Sequence, residues 1–328
     1  MPSTALRPFG PSIAFVLAML LAACTLSSGP GGSRVGNPDK RNLDEIVVVT
    51  SNAHQFQFNE ARIAVLARSI RSASDGDPPD VIFLQEIESV GMRELARALN
   101  DLIPAGQLAP AGPTGRLVKA KALVNLSAND VEAFSVWSDP CAPRNRYLEL
   151  RLSRRGTAHE YTAAGVHLPW DATSECREKS ALVMKRRLGT GRAVLAGDFN
   201  SRPVVEQREC DPAETSDPLP WYSILTSHGR RPAFLDSVKE EALRMDRSVG
   251  DQWTYEGVGP TLTCDGSQEF RRNRIDYIFA RDMSVIRAGA DDPGWAGQAP
   301  GTYACRDEEE CRYSDHRFVL ARLELNPE

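Results

Sequence analysis

Short apolar runs that end in polar residues recur along this chain, and they restrict its fold more than any other feature. EIVVVTS (45–51), DVIFLQ (80–85), RAVLA (192–196), RIDYIFA (274–280) and RFVLARLEL (317–325) are examples. Apolar runs of this length, bounded by turn residues, read as strands buried on both faces. Amphipathic helical patterns separate them. In Asn59 to Ala73, Ile63, Leu66, Ala67 and Ile70 share one helical face, and Val90–Asn100 and Glu175–Leu188 also read as helices. Further strands are expected near 118–124, 131–138, 145–153, 159–167, 252–256 and 283–288. Mixed strands and helices, with consecutive strands in the middle, predict an α/β sandwich. Residues 202–272, with many Pro, Gly and Cys turns, read as long loops over one edge.

The first residues read as a targeting segment. Arg7 precedes an apolar stretch, Ile13 to Ala23, that is short for a bilayer span. It ends in Leu21-Ala22-Ala23-Cys24. Small residues before a cysteine resemble a bacterial lipoprotein signal, which implies lipidation of Cys24. The expected organisation is a signal at 1–23, a lipidated N-terminus and tether at 24–44, and one catalytic domain at 45–328. Residues 25–44 are rich in Gly, Ser, Pro and Asn and bury too little apolar surface to order themselves. The expected location is a bacterial cell membrane, on its periplasmic or extracellular face, with the chain held there as a monomer by its lipid anchor.

Six further cysteines follow: Cys141, Cys176, Cys210, Cys264, Cys305 and Cys311. An even number in an exported domain predicts disulfides. No C-x-x-C pair and no histidine at zinc-ligand spacing accompanies them. Connectivity stays open, although Cys305 and Cys311, flanking a short acidic loop, are the easiest pair to close.

Polar clusters sit where the apolar runs stop. Asn52 follows EIVVVTS, Glu86 follows VIFLQ, and His167 ends YTAAGVH. Asp198 and Asn200 lie in GDFN, Asp276 in RIDY, and Asp315 and His316 in SDH. Taken singly, each is ordinary, since Asn and Asp after strands are usual turn formers. Taken in order, Asn52, LQE, VHL, GDFN, RIDY and SDH resemble the endonuclease/exonuclease/phosphatase superfamily across nearly the whole mature chain. That group includes secreted deoxyribonucleases, abasic-site endonucleases, neutral sphingomyelinases and inositol-polyphosphate phosphatases. The resemblance implies a four-layer, deoxyribonuclease-I-like sandwich of two packed mixed sheets flanked by helices.

The resemblance also implies roles. Glu86 would be the principal ligand of Mg²⁺ (Mn²⁺ or Ca²⁺ being alternatives), with Asn52 and Asp315 nearby. Asp276 and His316 would form a carboxylate–imidazole pair that activates water. Asp198 would orient the nucleophile or bind a second metal, Asn200 would bond a phosphate oxygen, and His167 would contact the phosphate or protonate the leaving group. Arg146 is a weaker candidate for phosphate contact, and Arg274 for pairing with a carboxylate. Two departures stand out. Ser51 replaces the aromatic residue more usual before the Asn, and no serine-arginine-proline signature lies between Glu86 and His167.

The chemistry independently wants these residue types. A phosphodiester repels nucleophiles until its charge is offset, and hard oxygen ligands suit Mg²⁺. A histidine oriented by a carboxylate can take a proton from water. A net charge of -5 disfavours a nucleic-acid coat protein but not an enzyme acting on nucleic acid. Metal-dependent hydrolysis of phosphodiester or phosphomonoester bonds is therefore expected, with nucleic acid the first-choice substrate. Phospholipid or a small phosphoester is the alternative, and a non-catalytic binding module on the same fold is a further one.

Overall fold

The computed structural model describes residues 42–56, 60–202, 218–229, 232–249, 252–262, 268–290 and 313–325. Cys24, Cys210, Cys264, Cys305, Cys311 and the expected signal lie outside these residues. No described helix is long and apolar enough to cross a membrane.

The apolar runs form the middles of two six-stranded sheets. In chain order the elements of the first sheet are β1 (Glu45–Phe56), β2 (Val81–Ile87), β3 (Leu108–Ala111), β4 (Ala120–Asn125), β13 (Met283–Ala290) and β14 (Val319–Leu325). Their spatial order is β13-β14-β1-β2-β4-β3. The second sheet holds β5 (Asn129–Ser138), β6 (Arg146–Arg154), β7 (Glu160–His167), β8 (Ala193–Asp198), β9 (Leu235–Asp236) and β12 (Asp276–Arg281), ordered β5-β6-β7-β8-β12-β9. Strands β10 (Tyr255–Leu262) and β11 (Gln268–Asn273) pair separately.

Alternation along each strand explains why the runs are apolar on both faces. Ile46 and Val48 of β1, Ala196 of β8 and Ile278 of β12 meet between the sheets. Val47 and Val49 point the other way, onto α1 (Glu60–Ala73) and α2 (Ser89–Leu102). Leu195, Tyr277 and Phe279 likewise point outward, onto α3 (Ser174–Arg187) and α4 (Pro220–Thr226). The result is the expected four-layer, deoxyribonuclease-I-like α/β sandwich.

The region read as loops holds more regular structure than expected. Besides β10 and β11 it contains α4 and α5 (Ser237–Arg244). Both helices are short, so their periodicity is faint. α4 begins with Pro220 in its first turn and buries Trp221, Tyr222 and Leu225, while α5 is capped by Asp236, whose side chain accepts from Lys239 N–H.

Among the six cysteines, Cys141 and Cys176 form a disulfide with a Cα–Cα distance of 5.7 Å. It ties the turn after β5 to the first turn of α3, next to Asp139, which accepts from the Cys141 and Ala142 N–H groups and from Tyr147 and Ser180.

Away from the strand ends that carry the polar motifs, a buried carboxylate clasps the two sheets. Asp80 accepts from Val47 N–H of the first sheet at 2.8 Å, and from Asn129 Nδ2 at 2.9 Å and Arg154 of the second. Asp80 and Arg154 are both buried. Removing one member of such a pair leaves the other charge without its partner. Arg154→Met is expected to lower unfolding stability by about 3–5 kcal/mol, read from urea unfolding; a loss below about 1 kcal/mol, the range of a surface ion pair, would show that the clasp does not hold the sheets.

Candidate active site

The two sheets bring their polar strand ends to one rim. In the first sheet β1 and β2 run parallel, so Asn52 and Glu86 leave the same edge, and antiparallel β14 starts there just after Asp315 and His316. In the second sheet His167, Asp198 and Asp276 form one row, His167 opposite Asp198 across parallel β7 and β8, and Asp276 opposite Asp198 across antiparallel β8 and β12.

Local chain geometry aims these groups. Gly197 has φ 148°, and a Cβ there would lie 2.0 Å from the Val166 carbonyl oxygen. Only glycine fits, and the chain then turns so that Phe199 packs inward on Trp221, at 5.1 Å between ring centroids, while Asp198 and Asn200 remain at the rim. Glu86 (φ 53°), His54 (φ 45°) and Asn200 (φ 47°) sit in the left-handed region, which costs non-glycine residues about 1–3 kcal/mol each. All three line one cavity of about 440 Å³ with Asn52, His167, Asp198, Asp315 and His316.

Asn52 is the hub of the cluster. Its Nδ2 donates to Asp198 at 2.9 Å and to Glu86 at 3.4 Å, and its Oδ1 accepts from His54 N–H at 2.9 Å. As a metal ligand it would have to rotate its carboxamide. Ser314 fastens SDH to β1 by donating to the Asn52 carbonyl at 2.7 Å. His167 Nε2 stands 3.6 Å from Asp198 and 3.7 Å from Glu86. Asn200 donates its backbone N–H to Asp198 at 2.7 Å and its side-chain amide to the Leu168 carbonyl. His316 Nδ1 lies 2.8 Å from Asp276, leaving Nε2 at 3.9 Å from Asp315.

Two expected residues stand apart. Arg146 is exposed at the start of β6, and among the described residues no contact joins its side chain to the cluster. Arg274 pairs with Asp236 at 2.8 Å and stacks over Tyr277.

Sequence reasoning missed several participants. His54 pairs with Asp315 at 3.0 Å. Thr254, fully buried, accepts the N–H groups of Ile275 and Asp276 at 3.0 Å each and so fixes Asp276. Lys119 and Trp170 line the cleft. Arg177 donates to the carbonyls of Trp170, Ala172 and Asn200, bracing the loop after β7. Of these, only His54 carried a signal, two residues after Asn52.

Burial and mutual charge set the protonation states. Burial pushes the Asp198 carboxyl up, and the adjacent Asp276 adds to this, giving about 6. Burial pushes His167 down despite Asp198 and Glu86, so it is neutral. Burial also opposes the charge on His316, but the charge and hydrogen bond of Asp276, with Asp198 and Asp315, outweigh it and raise the imidazole to about 10. The hydrogen bond to Asp315 raises His54.

The donor set fits a divalent cation. Asp198, Asp276 and His316 present atoms within 4.8 Å of one another, and the buried Oδ1 of Asp276 has no hydrogen-bond partner among the described residues. Glu86 and Asp315 add hard oxygens at the same cavity.

A histidine raised above its ordinary 6.5 stabilises the fold fully below that pH, and this contribution is lost as the pH rises through about 10. In chelator, the thermal-stability gap between wild type and His316→Gln should be widest below pH 6.5 and close towards pH 10. A gap that does not change with pH would refute an Asp276-held proton.

No curated protein matches the chain by sequence. Among solved structures it is similar to an endonuclease/exonuclease/phosphatase family protein from Bacteroides thetaiotaomicron, with TM-score 0.56 and 17% identity over 86% of this chain and 98% of that one. It is also similar to one from Bacteroides vulgatus (TM-score 0.55, 16% identity, 86% and 99% covered). D. rerio TDP2, complexed with single-strand DNA product, is similar with TM-score 0.54 and 14% identity over 85% of this chain and 99% of that one. At these identities the likeness is one of fold. The sequence profile of the Endonuclease/Exonuclease/phosphatase family, however, matches residues 49–316, through every strand-end motif from Asn52 to His316. The chain belongs to the endonuclease/exonuclease/phosphatase family.

Proposed function

We propose that this chain is a divalent-metal-dependent phosphodiesterase whose substrate is nucleic acid, acting outside the cytoplasm as a lipid-anchored protein. The observation that carries the catalytic reading is the gathering of Glu86, Asp198, Asp276 and Asp315 with His167 and His316 at one rim, where nothing structural requires four carboxylates.

Glu86 and Asp315 would hold the cation, with Asn52 beside them and Asp198 and Asp276 available to a second. A bound Mg²⁺ offsets the phosphate's charge and stabilises the leaving oxygen. The protein groups do the rest. Asp276 fixes the His316 tautomer, so that Nε2 faces the cleft. Once deprotonated, His316 Nε2 is placed to accept a proton from the attacking water, and a cation held nearby would favour that form. Asp198, fastened by Asn52 and the Asn200 N–H, orients that water. Neutral His167 bonds a phosphate oxygen or the departing oxygen. Export rests on the Leu21-Ala22-Ala23-Cys24 sequence. Several acyl chains, at about 0.8 kcal/mol per buried CH₂, would anchor firmly. Fatty-acid labelling should therefore disappear in Cys24→Ser, and persistent labelling would refute the anchor.

The catalytic test is turnover on DNA, RNA, sphingomyelin and inositol phosphates with Mg²⁺, Mn²⁺, Ca²⁺ or EDTA. Activity on nucleic acid, abolished by EDTA, is expected; activity on sphingomyelin or inositol phosphates alone would replace the substrate assignment. His316→Ala should lower kcat by roughly 10²- to 10⁴-fold. Asp276→Asn should be comparably severe, and the double variant little worse than either, because the two act as one unit. Losses that multiply would show that they act independently.

A further inference from the structure

A second cavity, of about 920 Å³, opens off the catalytic cleft, sharing Glu86, Lys119 and His167 with it. Its walls are the N-terminal turn of α2 and the segment leading into β4, tied together where Ser89 Oγ donates to the Thr114 carbonyl at 3.0 Å. Three cations line it: Arg116, Lys119 and Lys121. Among the described residues the side chains of Arg116 and Lys119 have no hydrogen-bond or ion-pair partner. Lys121 is 6% exposed, and among the described residues its ammonium group donates to the Ile87 carbonyl alone, at 2.6 Å. Burial and the charge of Lys119 both depress it. Glu86 faces Asn52 and His167, and Glu88, exposed at the pocket's edge, opposes the depression of Lys121 only in part and forms no ion pair with the three cations among the described residues. A chain of net charge -5 has thus concentrated unpaired positive charge beside its scissile site. A buried ammonium with spare donors stabilises the fold poorly and binds an anion well.

The same cleft offers an aromatic surface. Trp170 is 80% exposed, an unusual position for so large an apolar ring. It is not a loose loop tip, because Arg177 holds its carbonyl and that of Ala172. A fixed exposed ring and unpaired cations along one cleft are the two elements that bind single strands, by base stacking and backbone attraction.

We propose that the Arg116–Lys119–Lys121 cavity takes the phosphate next to the scissile one and that Trp170 stacks a base of the same strand, so that the site binds single-stranded polynucleotide. This rests on the phosphodiesterase reading of the cleft and deepens it. A lone diester would leave both features unused.

The test is fluorescence anisotropy with a labelled single-stranded DNA 12-mer in EDTA, using the full folded chain. Binding there does not depend on turnover, so absent hydrolysis would count against the catalytic reading alone. Arg116→Glu, an exposed position, should weaken binding at least about tenfold and reduce the salt slope by about one. Trp170→Ala should weaken binding roughly 5- to 150-fold, the equivalent of one stacked base. The same change should leave binding of an abasic strand with equal phosphates unaltered. Trp170→Phe should restore most of the affinity. Wild-type affinity in both variants, equal sensitivity of abasic and ordinary strands to Trp170→Ala, or no binding by wild type would each overturn the proposal. Binding of sphingomyelin vesicles, lost in Arg116→Glu, without binding of DNA would overturn it as well.

Discussion

The site exists because two sheets must bury their inner faces against each other. Neither sheet carries the whole polar cluster. Asn52, Glu86, Asp315 and His316 come from the first sheet, and His167, Asp198 and Asp276 from the second. Burial of Ile46, Val48, Phe83, Ala196 and Ile278 between them converts two half-sites into one. Asp80 makes that docking directional, since its oxygens must meet Val47 on one sheet and Asn129 and Arg154 on the other. A hydrophobic interface alone tolerates sliding, whereas a buried carboxylate with fixed donors does not.

Electrostatic strain at the rim is the counterpart of that rigid support. Burial and the adjacent Asp276 carboxylate together push the Asp198 carboxyl up to about 6. Asn52 relieves part of this by donating to Asp198 and Glu86, and His54 and His316 relieve more by pairing with Asp315 and Asp276. The left-handed backbone at His54, Glu86 and Asn200 adds its own cost at the same place. Such concentrated cost persists where the surrounding core over-determines the geometry, which the doubly buried strands do here.

Much of this was legible in the chain. The apolar runs announced the strands, and the polar residues at their ends announced the rim, because a strand end is where a side chain can leave a core without losing its support. Other features left no local mark. His54 joins the site only because its backbone turns left-handed after Asn52. Lys119 and Trp170 look like any surface residues until the fold sets them along one cleft, and Arg146, which looked more promising, has its backbone paired with the segment carrying Lys119 while its side chain stays outside. Helices α4 and α5 are too short for periodicity to reveal. The Cys141–Cys176 pairing spans 35 residues and follows from the approach of α3 to the turn after β5, which no spacing rule encodes.

That disulfide sits immediately before Arg177, the residue that braces the Trp170 loop against the GDFN turn. The first turn of α3 is therefore pinned from one side by a covalent link while its next residue holds the cleft wall on the other. Protein produced under reducing conditions would keep the carboxylates and histidines of the rim, which depend on the sheets, yet would lose the pin behind the wall. Preparations differing only in thiol state would then share a fold while differing in how firmly the wall that carries Trp170 is held. Redox history thereby becomes a variable of the cleft wall rather than of the rim.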